Sequence, residues 1–122
     1  MLGILDGGVN LIPSSIYKKH PTTAYRNSKP IGQGDKITRF FGPLCMSIDE
    51  VSNLHLSTHV KEGDILLLEN AGAYDYSESW TFGLGRPSIY WINRENEIQL
   101  VREAEAPNAL DHLERIPEFK SV

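Results

Sequence analysis

The stretch Lys61-Glu62-Gly63-Asp64-Ile65-Leu66-Leu67-Leu68-Glu69-Asn70-Ala71-Gly72-Ala73-Tyr74 sets the fold class of this chain. A polar turn containing glycine feeds four consecutive branched apolar residues, and the run stops in small residues followed by a phenol. Four apolar residues bounded by turn signals are too few for a helix face and read as a strand, expected to be buried on both sides or to lie across a core. The strand then delivers Ala71-Gly72-Ala73-Tyr74 as a loop at its end.

Similar short runs lie on either side. Leu2 to Leu5 reads as a strand ending in Asp6-Gly7-Gly8, and its position at the start of the chain suggests that something precedes it. Residues 10–35 are punctuated by Pro13, Pro21, Pro30, Gly32 and Gly34, which predicts a long irregular excursion with one strand near Thr22 to Arg26. Ile37 to Phe41 and Leu44 to Ile48 flank Gly42-Pro43 and predict strand, corner, strand. Ser88 to Ile92 and Glu97 to Val101 flank Asn93-Arg94-Glu95-Asn96 and predict a hairpin. Only Asn108 to Arg115 looks helical, with Pro107 at its start, Leu110 and Leu113 three apart, and Pro117 as the stop. The expected fold is all-β, a small β-barrel or sandwich with a short C-terminal helix.

Composition narrows the class. With 122 residues, 40% of them hydrophobic, the chain has the material for one domain spanning residues 1–122 and a modest core. A net charge of -4 and scattered basic residues give no footprint for nucleic acid. One cysteine rules out an internal disulfide framework, and the N-terminus lacks the pattern of a secretory signal, so the cytoplasm is the default expectation. No apolar run approaches the roughly 20 residues a bilayer span needs, so no membrane partner is expected.

The chemistry-bearing candidates are few. Cys45 stands beside the Gly42-Pro43 turn, with Asp49 four residues on. A thiol there can act as an acid or base if its surroundings tune it, or be a small buried hydrophobe. His20, His55, His59 and His112 sit in no nucleophile signature; His55 and His59 lack a third ligand pattern, and solvent exposure is expected for these histidines. Gly32-Gln33-Gly34 and Gly83-Leu84-Gly85 do not extend into a phosphate loop and read as turns. Tyr74, Tyr76, Trp80 and Phe82 form an aromatic stretch that serves either as a ligand-binding wall or as core and rim.

In order along the chain stand Leu5-Asp6-Gly7-Gly8-Val9-Asn10, Ile16-Tyr17, Gly42-Pro43-Leu44-Cys45 with Asp49, Gly63-Asp64 leading into Asn70-Ala71-Gly72-Ala73-Tyr74, and Ser79 to Arg86-Pro87. This series resembles the C-terminal β domain of the alanine-racemase-type (fold III) pyridoxal-phosphate decarboxylases that act on ornithine, lysine, arginine or diaminopimelate. The resemblance runs from Leu5 to about Val101. It implies that Tyr74 hydrogen-bonds the phosphate of pyridoxal 5'-phosphate, and that Cys45 returns a proton to the substrate after carbon dioxide leaves. It also implies that Asp6, Phe82 and Asp49 face the substrate.

The resemblance further implies a cofactor-binding (β/α)8 barrel as partner, which carries the cofactor lysine and takes about 200 residues or more. No part of such a barrel is present in this sequence. The chain is therefore expected to act as a domain or split subunit, inactive by itself, in a homodimer or hetero-oligomer whose sites are shared between subunits. Met46 stands where the family usually has an acidic residue that reads the substrate amine. Leu11 to Ile16 holds no arginine of the kind that grips a distal carboxylate, which makes diaminopimelate a poor candidate. The alternative is a non-catalytic dimerisation or small-ligand-binding β module derived from this family.

Overall fold

The computed structural model describes residues 1–109 and 111–116, which fall into two compact units, Met1–Trp80 and Thr81–Val122. Strands dominate the first unit: β1 (Leu2–Ile4), β2 (Thr22–Arg26), β3 (Lys29–Pro30), β4 (Gln33–Phe41), β5 (Glu50–Leu56) and β6 (Ile65–Leu68). One sheet has the order β1-β4-β5 and the other β3-β2-β6. Strand β1 runs parallel to β4 with Leu2 opposite Arg39, whereas β4 and β5 are antiparallel with Ile37 opposite His55. In the second sheet β2 pairs antiparallel with β6, Ala24 facing Leu66.

The two sheets meet through side chains that alternate inward. Ala24 of β2, Phe40 of β4 and Leu56 of β5 form the buried cluster with Val60, and Leu5, Ile31, Leu54 and Leu66 pack against it. Because alternate residues of a strand point to opposite faces, this cluster uses one face of each sheet. The sheets stay open, so the sandwich rather than the barrel is the form taken.

One local expectation narrows and another changes. Strand β6 is not buried on both faces but lies across the core, because Leu66 packs on the buried cluster while Ile65 and Leu67, which point to the other face of the sheet, are exposed. Leu44 to Ile48 is a loop, and β5 begins only at Glu50. Its backbone hydrogen bonds go to Asp49 instead of to a neighbouring strand, for the Leu44 N–H is bound to the Asp49 carboxylate and the Met46 carbonyl to the Asp49 N–H.

The second unit contains β7 (Ile89–Ile92) and β8 (Ile98–Arg102), the predicted hairpin. Asn93 makes its reversal: Oδ1 accepts the N–H groups of Glu95 at 3.0 Å and Glu97 at 2.8 Å, and Asn96 takes a positive φ of 62°. After it, Glu105 gathers Arg86 and Arg102 into one ion-pair cluster. The expected C-terminal helix is reduced to a single 3-10 turn at Asp111–Leu113, and Leu110 and Pro117, on which that expectation drew, lie outside the described residues.

Candidate active-site loops

Residues 42–49 join β4 to β5, and they are built around one carboxylate. Asp49 is 1% exposed. Its Oδ1 accepts the N–H of Val9 at 2.8 Å and its Oδ2 accepts the N–H of Leu44 at 2.8 Å, while the Gly42 N–H donates to its carbonyl at 2.9 Å. Buried carboxylates persist when backbone donors satisfy them, and Asp49 has one on each oxygen.

The glycines around it are required by space. A Cβ on Gly8 would lie 2.5 Å from Asp49 Oδ1, and a Cβ on Gly42 would lie 2.5 Å from both carboxylate oxygens. Asp6-Gly7-Gly8 and Gly42-Pro43-Leu44-Cys45, far apart in sequence, are thus held against each other through Asp49.

The residues that this clamp leaves outside are Asp6 and Cys45, both exposed. Asp49 itself, which the family resemblance set among substrate-facing residues, is buried with both oxygens taken by backbone N–H groups. At the mouth of the loop, Arg39 Nε donates to Glu50 Oε1 at 3.0 Å, and this hydrogen bond, with the guanidinium charge, holds the Glu50 carboxyl below its usual range.

The loop after β6 presents Tyr74. This side chain is 73% exposed, and its backbone sits at φ 71° and ψ -41°, a conformation rare for a residue with a Cβ. Immediately after it, a single helical turn, α1 (Asp75–Glu78), begins with a buried residue. Asp75 Oδ1 accepts the N–H of Ser14 at 2.9 Å.

Ser14 in turn shares a 2.7 Å hydrogen bond with His20 Nε2, and His20 Nδ1 lies 3.1 Å from the Glu69 carbonyl. A carbonyl can only accept, so Nδ1 carries a proton and, in the neutral ring, Ser14 donates to Nε2. His20 is therefore buried and doubly bonded, against the expectation of exposure, whereas His55 and His59 are exposed as expected.

Asp6, Cys45 and Tyr74 all belong to the first unit, and Phe82 lies in the second, exposed, in an isolated bridge with Leu84. Sequence reasoning passed over Asp75, Asn10 and Ser14, the buried polar residues behind these loops. No group of three His, Cys, Asp or Glu residues among the described residues is placed to hold a metal ion. No helix among them is long and apolar enough to cross a membrane.

The family model of the C-terminal sheet domain of pyridoxal-dependent decarboxylases matches residues 1–72, a range that includes Asp6, Cys45 and Asp49 and stops just short of Tyr74. Ornithine decarboxylase of Rattus norvegicus is 31% identical over 67 residues, which cover 54% of this chain and 14% of the relative. Ornithine decarboxylase of Cricetulus griseus is 34% identical over 64 residues, 52% of this chain and 14% of the relative. The chain thus corresponds to a small part of the curated relatives it matches.

Among solved structures, diaminopimelate decarboxylase of M. jannaschii superposes with a TM-score of 0.77 at 24% identity, over 95% of this chain and 26% of that one. The Helicobacter pylori enzyme complexed with L-lysine gives a TM-score of 0.73 at 24% identity, over 92% and 27%. Carboxynorspermidine decarboxylase of Campylobacter jejuni complexed with norspermidine gives 0.65 at 16% identity, over 93% and 34%. At these identities the likeness is one of fold.

Proposed function

The chain belongs to the family of the C-terminal sheet domain of pyridoxal-dependent decarboxylases, and on that premise we propose that it supplies one wall of an amino-acid decarboxylase site whose cofactor lysine resides on a separate (β/α)8 barrel. The observation that carries this reading is the clamp at Asp49, which fixes the Asp6 and Cys45 loops together while leaving both side chains exposed. A purely structural corner has no need of an exposed thiol on a loop so firmly pinned.

The residues fit the group. An exposed phenol on a constrained backbone can donate a hydrogen bond to a phosphate oxygen, and an exposed thiol can give and recover a proton. Pyridoxal phosphate, when bound, supplies the electron sink that makes loss of carbon dioxide from an amino acid feasible. When the carbon–carboxylate bond breaks, its electron pair stays with the substrate carbon, and Cys45 gives that carbon the thiol proton. The resulting thiolate recovers a proton from water. Asp6 accepts hydrogen bonds from a distal substrate amine. Met46, in place of an acidic neighbour, removes one recognition charge and favours substrates gripped mainly through Asp6.

The test combines the chain with its barrel partner by co-expression and measures carbon dioxide release from L-ornithine, L-lysine, L-arginine and diaminopimelate. Release is expected only when the barrel and these 122 residues are both present. Tyr74→Phe is expected to raise the half-saturating cofactor concentration about ten- to hundredfold, the worth of one hydrogen bond to a charged group. Unchanged cofactor affinity in that variant would remove Tyr74 from the site.

A further inference from the structure

Cys45 and Tyr74 are each followed closely by a buried carboxylate. Asp49 follows Cys45 by four positions, and Asp75, 2% exposed, follows Tyr74 directly. Both turn back on the same short segment, residues 8–14. Asp49 Oδ1 takes the N–H of Val9 at its beginning and Asp75 Oδ1 takes the N–H of Ser14 at its end. Between these anchors the Trp80 N–H donates to the Asn10 carbonyl at 3.0 Å, and Asn10 Nδ2 donates to the Trp80 carbonyl at 3.2 Å. Val9, Asn10 and Ser14 are all buried.

We propose that Asp49 and Asp75 are positioning residues that fasten the Cys45 loop and the Tyr74 loop to residues 8–14 as a common rail. The separation between thiol and phenol is then set inside this domain before any cofactor or partner arrives. The functional meaning rests on the reading of Cys45 and Tyr74 as site residues; the rail itself does not.

Three features support this assignment. Backbone N–H groups bound to a buried carboxylate form strong hydrogen bonds, so exchange of Asp49 for an amide leaves a donor facing a donor, and truncation of Asp75 to alanine leaves the Ser14 N–H without its acceptor. Tyr74 holds a positive φ that a non-glycine residue keeps only where its surroundings enforce it, and the adjacent Asp75 bond acts there together with the Glu78 N–H and Ser77 hydroxyl that donate to the Tyr74 carbonyl. Gly8 and Gly42 leave just enough room for the Asp49 carboxylate to pass between the loops. Asp49 engages both oxygens, whereas Asp75 Oδ2 has no hydrogen-bond partner, so Asp49→Asn is expected to have the larger effect.

Amide hydrogen exchange on the 122-residue chain, followed by NMR, tests the rail directly. In the native chain the amides of Val9, Leu44 and Ser14 should be protected as strongly as those of the β2–β6 ladder. Asp49→Asn should lower protection of Val9 and Leu44 at least tenfold, and Asp75→Ala that of Ser14, with Ala24 and Leu66 unchanged. Rapid exchange of these amides in the native chain, or unaltered protection in the variants, would overturn the proposal. Should Asp49→Asn fail to fold, Asn10→Ala, which loosens the rail at its middle, must show the same pairing of losses at Val9 and Ser14; protection retained at both would equally overturn it.

In the enzyme assembled with its barrel, Asp49→Asn should lower kcat with KM kept, and Asp75→Ala should raise the half-saturating cofactor concentration with kcat kept at saturation. Equal changes in both constants in both variants would mean general loosening and contradict positioning. If Cys45→Ala left activity intact while the exchange results held, the site assignment alone would fall.

Discussion

The Arg26 guanidinium grips the Asp64 carboxylate through two hydrogen bonds, Nε to Oδ1 at 2.8 Å and Nη2 to Oδ2 at 2.7 Å. This pair ties β2 to the turn that launches β6, and Asp64 Oδ2 also accepts the Lys61 N–H at 2.8 Å. The hydrogen bond from Arg26 holds the Asp64 carboxyl below its ordinary value. A carboxylate with a depressed folded-state pKa contributes stability that is complete above the ordinary carboxylate range and is lost as pH falls through the folded value. Thermal midpoints should therefore fall in Asp64→Asn at pH 7, and the gap to the native chain should narrow on acidification below pH 4 or so. A gap independent of pH would contradict the pairing.

The close approach at Gly42 predicts a steep dependence on one methyl group. Gly42→Ala would drive a Cβ into the Asp49 carboxylate, whereas a Cβ at Gly72 meets nothing within 4 Å. Urea denaturation should show Gly42→Ala destabilised by about 1–3 kcal/mol, the usual cost of overpacking, with Gly72→Ala close to neutral.

Phe40 joins the two sheets at the centre of the buried cluster. Phe40→Ala should destabilise the chain by about 3–5 kcal/mol in the same denaturation experiment, because it removes a ring and leaves a cavity that β-strands cannot close. A loss under about 1 kcal/mol would mean that the sheets do not pack through this residue.

Glu105 is lowered to about 2, first by the Arg86 side chain and then by the Arg86 backbone N–H, with smaller help from the Arg86 and Arg102 charges. Its contribution to the second unit is present above pH 4.5 and is lost as pH falls toward 2. Carboxyl chemical shifts followed by NMR should place its midpoint well below the ordinary carboxylate range, and Arg86→Gln should return it toward that range.

Much of this architecture was legible in the chain because its strands are short, apolar and bounded by Gly, Pro and Asn. Thr22 to Arg26, Ile65 to Leu68 and the hairpin about Asn93 declare themselves by those boundaries. Leu44 to Ile48 did not, since its apolar residues look like a strand while its backbone is claimed by Asp49, a long-range contact that local periodicity does not encode. Burial of β6 on one face only depends on what lies beside the strand. His20 looked like any surface histidine until Ser14 and the Glu69 carbonyl enclosed it. The exposed residues of the candidate site were legible as a motif series, and the acids that hold them were not. A carboxylate bound to backbone N–H groups tens of residues away leaves no spacing to read.

On the proposed function, this domain contributes the proton donor of a decarboxylase completed by a barrel. The measurement that bears on it most directly is turnover of the assembled enzyme with Cys45 replaced by alanine, using whichever amino acid the native assembly decarboxylates. Loss of a positioned acid predicts a fall in kcat of about 10²–10⁴-fold with cofactor binding unchanged. Carbon dioxide release at the native rate from the Cys45→Ala assembly would contradict the account.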